Sequence, residues 1–370
     1  MKRVLIIGGG VDAWLAAAVL ATAGRGVLEV RVRETTAPAS GRIAALPALR
    51  GLHTRLGISE ETLARAAGAR PRLAARYGQA VEPFGETGAL FEGLAFHHYW
   101  LATGQDAPLS DWSLAAQAAL RDRFVLPSPD PRSPLSTLDY GLTLDAAGYA
   151  AVLKDTALKA GASLSDAEDA DLVVEASGGT ASGAYDIDWS AWLPTGVALA
   201  DDGLLSTFQS APLKAGRREK AVEGNRVALG AAYAAIGAGD GGDLHLLQTA
   251  VSRLVALFPD TPAAVAEFNR LTALATERAR DMAILRWGNL GAPPQELAWK
   301  IAQFESRGRL VSYDEEAWPE QSWIHALLAR GIKPKRWDPL VERAPLARMS
   351  EMLGRMKTVM EQTAEAMPRV

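Results

Sequence analysis

Hydrophobic patterning is clearest in the first 36 residues. KRVLIIGGG is a continuous aliphatic run bounded by glycines, as expected of a parallel strand covered on both faces. VDAWLAAAVLATAGRG follows as a helix with stop signals at Gly24 and Gly26, and VLEVRVRE reads as a second strand. Residues 47–77 place Leu49, Leu52, Leu56 and Leu63 at helix-like spacings and predict helix. From 85 to 100, glycine mixes with aromatics and alternating apolar residues, predicting strands or irregular structure. The stretch 106–134 is dense in proline and aspartate around one short helical piece, which predicts a surface excursion.

Helical periodicity returns over 145–160. DLVVEASGG, residues 171–179, is a strand running into glycines, and a second such unit ends in NRVALG, residues 225–230. Apolar residues at 244, 247, 251, 254, 255 and 258 predict a helix stopped by Pro259. The last hundred or so residues read as mostly helical. Leu346, Met349, Leu353, Met356, Met360 and Met367 form an apolar stripe, either packed on the chain's own body or offered to a partner. The pattern predicts an α/β chain with a Rossmann-like domain over 1–260, interrupted by a further segment at about 78–145. A helical C-terminal subdomain over 261–370 completes it.

Composition narrows the chemistry. Apolar residues at 48% and charged residues at 22% are enough to build a core in 370 residues. A net charge of −4 lacks the basic footprint of nucleic-acid binding. The absence of cysteine excludes disulfides, thiolate metal sites, iron–sulfur clusters and cysteine nucleophiles. No apolar run approaches the roughly 18 residues that cross a bilayer. The opening run reads as strand and turn rather than as a signal peptide, so no membrane association and a cytoplasmic location are expected. His97 and His98 are adjacent and diverge, while His53, His245 and His325 lack acids at ligand spacing, so no metal site is expected. There is no G-x-S-x-G elbow, and Ser177 reads as a strand terminus. The late tryptophans Trp287, Trp299, Trp318, Trp323 and Trp337 belong to a core or line an aromatic-accepting pocket.

The strongest local signal is Gly8-Gly9-Gly10-Val11-Asp12-Ala13 between a strand and a helix. Gly8 permits the tight bend, Gly10 lets backbone approach a pyrophosphate, and the small Ala13 lets helix and strand pack closely. Glu34, at the end of the second strand, is placed to accept hydrogen bonds from a ribose hydroxyl. The alternative is a purely structural glycine turn. Asp12 is discordant, because a carboxylate near 4 Å from a phosphate opposes binding by about 1 kcal/mol in water and about 4 at an intermediate dielectric. Unless it caps the helix or turns outward, weak dinucleotide affinity is expected, relieved by Asp12→Ser.

Five separated segments resemble the flavin-dependent tryptophan halogenases and related FAD-dependent monooxygenases. IIGGGVDAWLAAAVL is similar to the family's strand and G-G-G-x-x-G-W turn, with Ala13 for the last glycine and Trp14 retained. YGLTLDAAGYAAVL with ADLVVEASG, then EGNRVALGAAYA, LHLLQTAVSRLVALFPD and EEAWPEQSWIHALLARGIKPKRWDPL, follow in the family's order. The resemblance implies a Rossmann-like FAD-binding domain of the flavin monooxygenase/halogenase type. An abbreviated, mainly helical substrate-side and C-terminal subdomain would complete the fold. It implies FAD as cofactor, bound by Gly8, Gly10, Ala13, Glu34, Gly178 and Gly230, with an aromatic small molecule or peptide as substrate. A flavin reductase or a homologous subunit would be the partner.

The family's functional positions differ here, in a chain shorter than typical members. The lysine of T-F-K-L-G corresponds to Arg72, within Ala69-Arg70-Pro71-Arg72-Leu73-Ala74. The W-x-W-x-I-P signature appears as Thr207-Phe208-Gln209-Ser210-Ala211-Pro212, without either tryptophan. P-L-E-S-T, which contacts halide and flavin, falls on Ala238-Gly239-Asp240-Gly241-Gly242, and G-x-G-E-A-T on Ser40-Gly41-Arg42-Ile43-Ala44-Ala45. A guanidinium stays protonated where a lysine amine could react. Asp240 and Arg72 are left as candidate acid–base or anchoring groups. The expectation is a flavoenzyme that does not carry out standard halogenation. The alternative is a non-catalytic binding protein with weak or no flavin binding.

Overall fold

A computed structural model describes residues 1–35, 40–89, 91, 93–177, 184–343 and 345–370. Two compact units form, one from Met1–Arg70, Leu142–Leu199 and Gln209–Ala283, the other from Pro71–Gly141, Ala200–Phe208 and Ile284–Val370.

The first unit is built on a six-stranded sheet among the described residues. Its order is Val222–Glu223, Arg226–Ala228, Leu172–Glu175, Lys2–Ile7, Leu28–Arg33, Ser163–Leu164. All neighbours are parallel except the first pair. Lys2–Ile7 sits between partners reached in opposite directions, with Val4 opposite Val30 on one side and Leu172 on the other. The carboxyl end of that strand is therefore the point where an open α/β sheet offers a crevice. The helix Val11–Ala23 follows, and every residue from Ala13 to Ala21 is buried. It is apolar on all sides, so it can be stable only when enclosed. The sheet, Ala146–Lys159 and Gly242–Ala256 enclose it. Trp14, Leu15 and Leu20 each contribute about 2–3 kcal/mol by burial.

The second unit contains the hairpin Ala74–Tyr77 and Ala80–Pro83, turned at Gly78 with φ +59°. Leu205 to Thr207 add to it in parallel. Helix was predicted through to residue 77, but the helices are Ala48–Leu56 and Glu60–Ala67, and Arg70–Arg72 and Ala74–Tyr77 are strands. Gly57 and Gly68 adopt left-handed conformations that terminate each helix, and Pro71 disfavours helix at the residue before it.

The predicted surface excursion is also corrected. Leu109, Trp112 and all of Leu114–Ala119 are buried, because the terminal helix Leu346–Ala366 packs across them. Trp112 Nε1 donates to the Leu353 carbonyl at 2.9 Å. Met349, Leu353, Met360 and Met367 are buried against their own unit, so most of the apolar stripe is used there, while Leu346 at its start stays exposed.

Candidate functional site

The glycine turn leaves the central strand at its carboxyl end. Gly8 has φ +153°, and a Cβ there would lie 2.3 Å from the Ala176 carbonyl oxygen and 2.9 Å from the Ala13 Cβ. Ala13 is fully buried at this crossing of strand and helix. Gly10 differs, because a Cβ there would meet nothing within 4 Å. Gly10 starts the helix Val11–Ala23 without a side-chain cap, so the first-turn amides point into open space. Such an end attracts anions.

That space is a cavity of about 550 Å³ within the first unit, lined by Gly10, Asp12, Arg42, Ser177, Gly230 and Asp243 among others. Val197, Leu199, Leu246, Leu247 and Ala250 give it a largely apolar wall. Arg42 brings a positive charge, its two terminal nitrogens donating to the Gly68 carbonyl and Thr143 Oγ1, each at 2.8 Å.

Asp12 does not cap its own helix. Its carboxylate accepts the Ala231 N–H, and burial pushes its carboxyl up to about 6. Gly230 makes this possible, since at φ +55° its Cβ position lies 2.1 Å from Asp12 Oδ2. Gly230 thus both lines the cavity and seats the acid.

Asp240 is fully buried, and its Oδ1 accepts the Gly242 N–H at 3.0 Å at the start of the helix Gly242–Ala256. The acid that faces the cavity is instead Asp243, one turn on. Desolvation, then Asp240 and Asp12, push its carboxyl up to about 7, against the opposing hydrogen bonds that it accepts from the Ala238 and Ile236 N–H groups. Sequence reasoning missed Asp243, although an acid in the first turn after a Gly-Gly pair was the available signal.

Glu34 is taken by Lys154, whose Nζ lies 2.8 and 2.9 Å from its two oxygens and 5.1 Å from the Trp14 ring. Lys154→Met is expected to cost less than about 1 kcal/mol in urea unfolding, since the pair is partly exposed. Gly178 lies outside the described residues. Arg72 belongs to the second unit, fully buried, its guanidinium 4.9 Å from the Phe84 ring and 5.6 Å from that of Phe208. Of the late tryptophans, Trp318 and Trp323 are buried in the second unit, against Arg286 and Lys300, and Trp299 and Trp337 are exposed. Among the described residues no group of three or more potential ligands could hold a metal ion, and no helix is long and apolar enough to cross a membrane.

A family model described as tryptophan halogenase matches residues 3–182 and 201–346. The chain belongs to the tryptophan halogenase family. A flavin-dependent halogenase from Brevundimonas sp. BAL3 superposes with a TM-score of 0.87 at 25% identity, covering 100% of this chain and 97% of that one. A flavin-dependent halogenase from Xanthomonas campestris gives 0.85 at 23% identity, covering 100% and 96%. A tryptophan 6-halogenase from Streptomyces toxytricini gives 0.82 at 17%, covering 100% and 98%. Nothing among curated protein sequences matches significantly. The α/β architecture with its parallel sheet is thus the flavin halogenase fold, with a Rossmann-type domain at the start of the family's chain.

Proposed function

We propose that this family member is a flavin-dependent oxidoreductase that takes FAD in the cavity of the first unit and acts on an aromatic small molecule or peptide without standard halogenation. The observation that carries the reading is the cavity itself, opening at Gly10 onto uncapped amides at the carboxyl end of the central strand. The residues fit the cofactor. Gly10 leaves room for a pyrophosphate against the helix, Gly8 and Ala13 hold the turn tight behind it, Arg42 supplies a cation, and the apolar wall from Val197 to Leu199 suits a planar ring. Gly230 would complete the cradle, and Glu34 would reach the ribose only by sharing Lys154. FAD, once reduced, supplies the reaction with dioxygen from which hydroxylation, oxidation and halogenation all begin. A flavin reductase in the cytoplasm would deliver it reduced.

The chain's own groups argue against halide. At the loop that contacts halide in the family, Asp240 already occupies the Gly242 amide, and Asp243, which lines the cavity, occupies the amides of Ala238 and Ile236. An anion 4 Å from an ionised Asp243 is opposed by about 4 kcal/mol at an intermediate dielectric. Arg72, in place of the lysine, keeps its proton. Assay with reduced flavin, dioxygen, bromide and indole is expected to consume oxygen without brominated product. Brominated indole would overturn the discount of halogenation.

A second reading, a non-catalytic binding protein, is favoured by the pairing of Glu34 with Lys154 and by two acids at the phosphate end. Absorbance of the purified protein and titration with FAD separate the two. A colourless protein that does not take up added FAD overturns the enzyme reading.

The acids also set the pH dependence. Both carboxyls are raised in the folded state, so their protonated forms favour folding. This contribution is complete below about 4 and is lost as pH rises through about 6 for Asp12 and about 7 for Asp243. FAD affinity, read by quenching of flavin fluorescence, is expected to tighten severalfold from pH 8 to pH 5.5. Asp12→Ser, and Asp12→Asn, which keeps an acceptor for the Ala231 amide, are expected to bind about tenfold tighter at pH 8 with a flatter profile. Unchanged affinity would refute the repulsion.

A further inference from the structure

A separate cavity of about 250 Å³ lies wholly within the second unit, between the loop around Thr87 and the helices Phe96–Ala102 and Glu320–Ala329. Two buried histidines, His97 and His325, are among its lining, 4% and 8% exposed. His97 Nε2 lies 2.7 Å from the Gly308 carbonyl oxygen, which can only accept, so the ring carries its hydrogen there and keeps a lone pair on Nδ1. Burial holds both rings down at about 4, so they are neutral at physiological pH. His325 Nε2 meets Thr87 Oγ1 at 2.9 Å, and Gln321 Oε1 accepts the Thr87 N–H at 2.9 Å.

This wall is fixed in place. Gly88, at φ +67°, lies so close to the Phe96 ring that a Cβ would come within 2.0 Å of it. Phe96, Leu109 and Ile324 give apolar surface, while Glu86 and Glu320 supply two carboxylates. Among the described residues no lysine or arginine lines the cavity. Burial holds the Glu320 carboxyl above its usual range, opposed first by the hydrogen bond that it accepts from the Leu310 N–H and then by Lys300, which leaves its remaining acceptor capacity for a ligand.

We infer that this cavity binds a small organic cation, a primary ammonium on a short apolar body, with the ammonium at Glu86 and Glu320 and the body against Phe96 and Ile324. Such a ligand brings positive charge into a cavity that, among the described residues, no lysine or arginine lines, between the half-buried Glu320 and the exposed Glu86 at its edge. An anion meets two like charges there, and a neutral molecule of the same shape gains only the apolar contacts.

Calorimetric titration of the full chain at pH 7 with 2-phenylethylammonium chloride, 2-phenylethanol and 3-phenylpropionate tests this. The ammonium is expected to bind at least about tenfold more tightly than the alcohol, and the carboxylate not at all. Glu320→Gln is expected to remove that advantage while leaving the alcohol unaffected. Glu86→Gln, on an exposed residue, serves where the first variant does not fold, and is expected to weaken the ammonium severalfold. Equal binding of ammonium and alcohol, preference for the carboxylate, or wild-type affinity in whichever variants fold would each overturn the inference. The readout is independent of flavin, so it stands whether the preparation is yellow or colourless.

Discussion

Gly8→Val is expected to abolish FAD binding and to destabilise the first unit by about 3 kcal/mol or more. The new Cβ would fall 2.3 Å from the Ala176 oxygen, which is backbone of the adjoining strand and cannot step aside like a flexible side chain. Ala176 is tied to the central strand by its N–H to the Ile7 carbonyl at 2.9 Å, and Gly8 N–H donates to Arg33 O at 3.0 Å. A clash here therefore disturbs three parallel strands at once, and φ +153° strains a β-branched residue as well. Gly10→Ala is the control. Its φ of −96° suits any residue and its Cβ meets nothing, so stability in urea is expected to stay within about 0.5 kcal/mol of the parent. FAD affinity is nevertheless expected to fall at least tenfold, because the methyl group fills the approach to the amides. If Gly10→Ala titrates with FAD like the parent protein, the pyrophosphate does not sit at this turn.

Arg286→Met is expected to cost about 3–5 kcal/mol in the second unit. Arg286 and Glu82 form a pair with side chains 2% and 5% exposed, Nε donating to Oε2 at 3.0 Å and the terminal nitrogen to the other oxygen. The guanidinium is also held 4.8 Å from both the Tyr77 and the Trp318 rings. Removing it leaves a carboxylate enclosed without a counter-charge. The double variant Glu82→Leu/Arg286→Met is expected to recover most of the loss, because nothing charged is then stranded. Urea unfolding followed by tryptophan fluorescence measures all three. A single variant as stable as the parent would show that the pair contributes nothing.

Features that were legible in the sequence depend on local pattern. The run from Val4 to Ile7, the glycines after it and the alanine-rich helix describe their own burial, and the helices Ala146–Lys159 and Gly242–Ala256 follow from apolar spacing. What was missed depends on partners far along the chain. The turn-forming residues around Trp112 disclose local bends but not the terminal helix that covers them some 241 residues later. Leucine spacing carried helix too far, past Gly68, where strand pairing with residues near 205 decides the conformation. At the site, the glycines could be read directly, whereas the capture of Glu34 by Lys154 across 120 positions could not. Aligning the family's acidic loop pointed to Asp240, and only the packing shows that this fully buried carboxylate is turned onto the Gly242 amide while Asp243, held by the Ala238 and Ile236 amides, lines the cavity.

The seat of Asp12 on the turn at Gly230 makes two distant positions dependent on each other in evolution. A mutation that adds a side chain at 230 meets the Asp12 oxygen at 2.1 Å and is rejected while the acid remains. Shortening residue 12 first opens the way, although φ +55° still charges any newcomer other than glycine or asparagine about 1 kcal/mol. The permitted order of substitution is thus fixed, and descendants of this chain can regain an unobstructed phosphate end before, but not after, they alter the turn at 230.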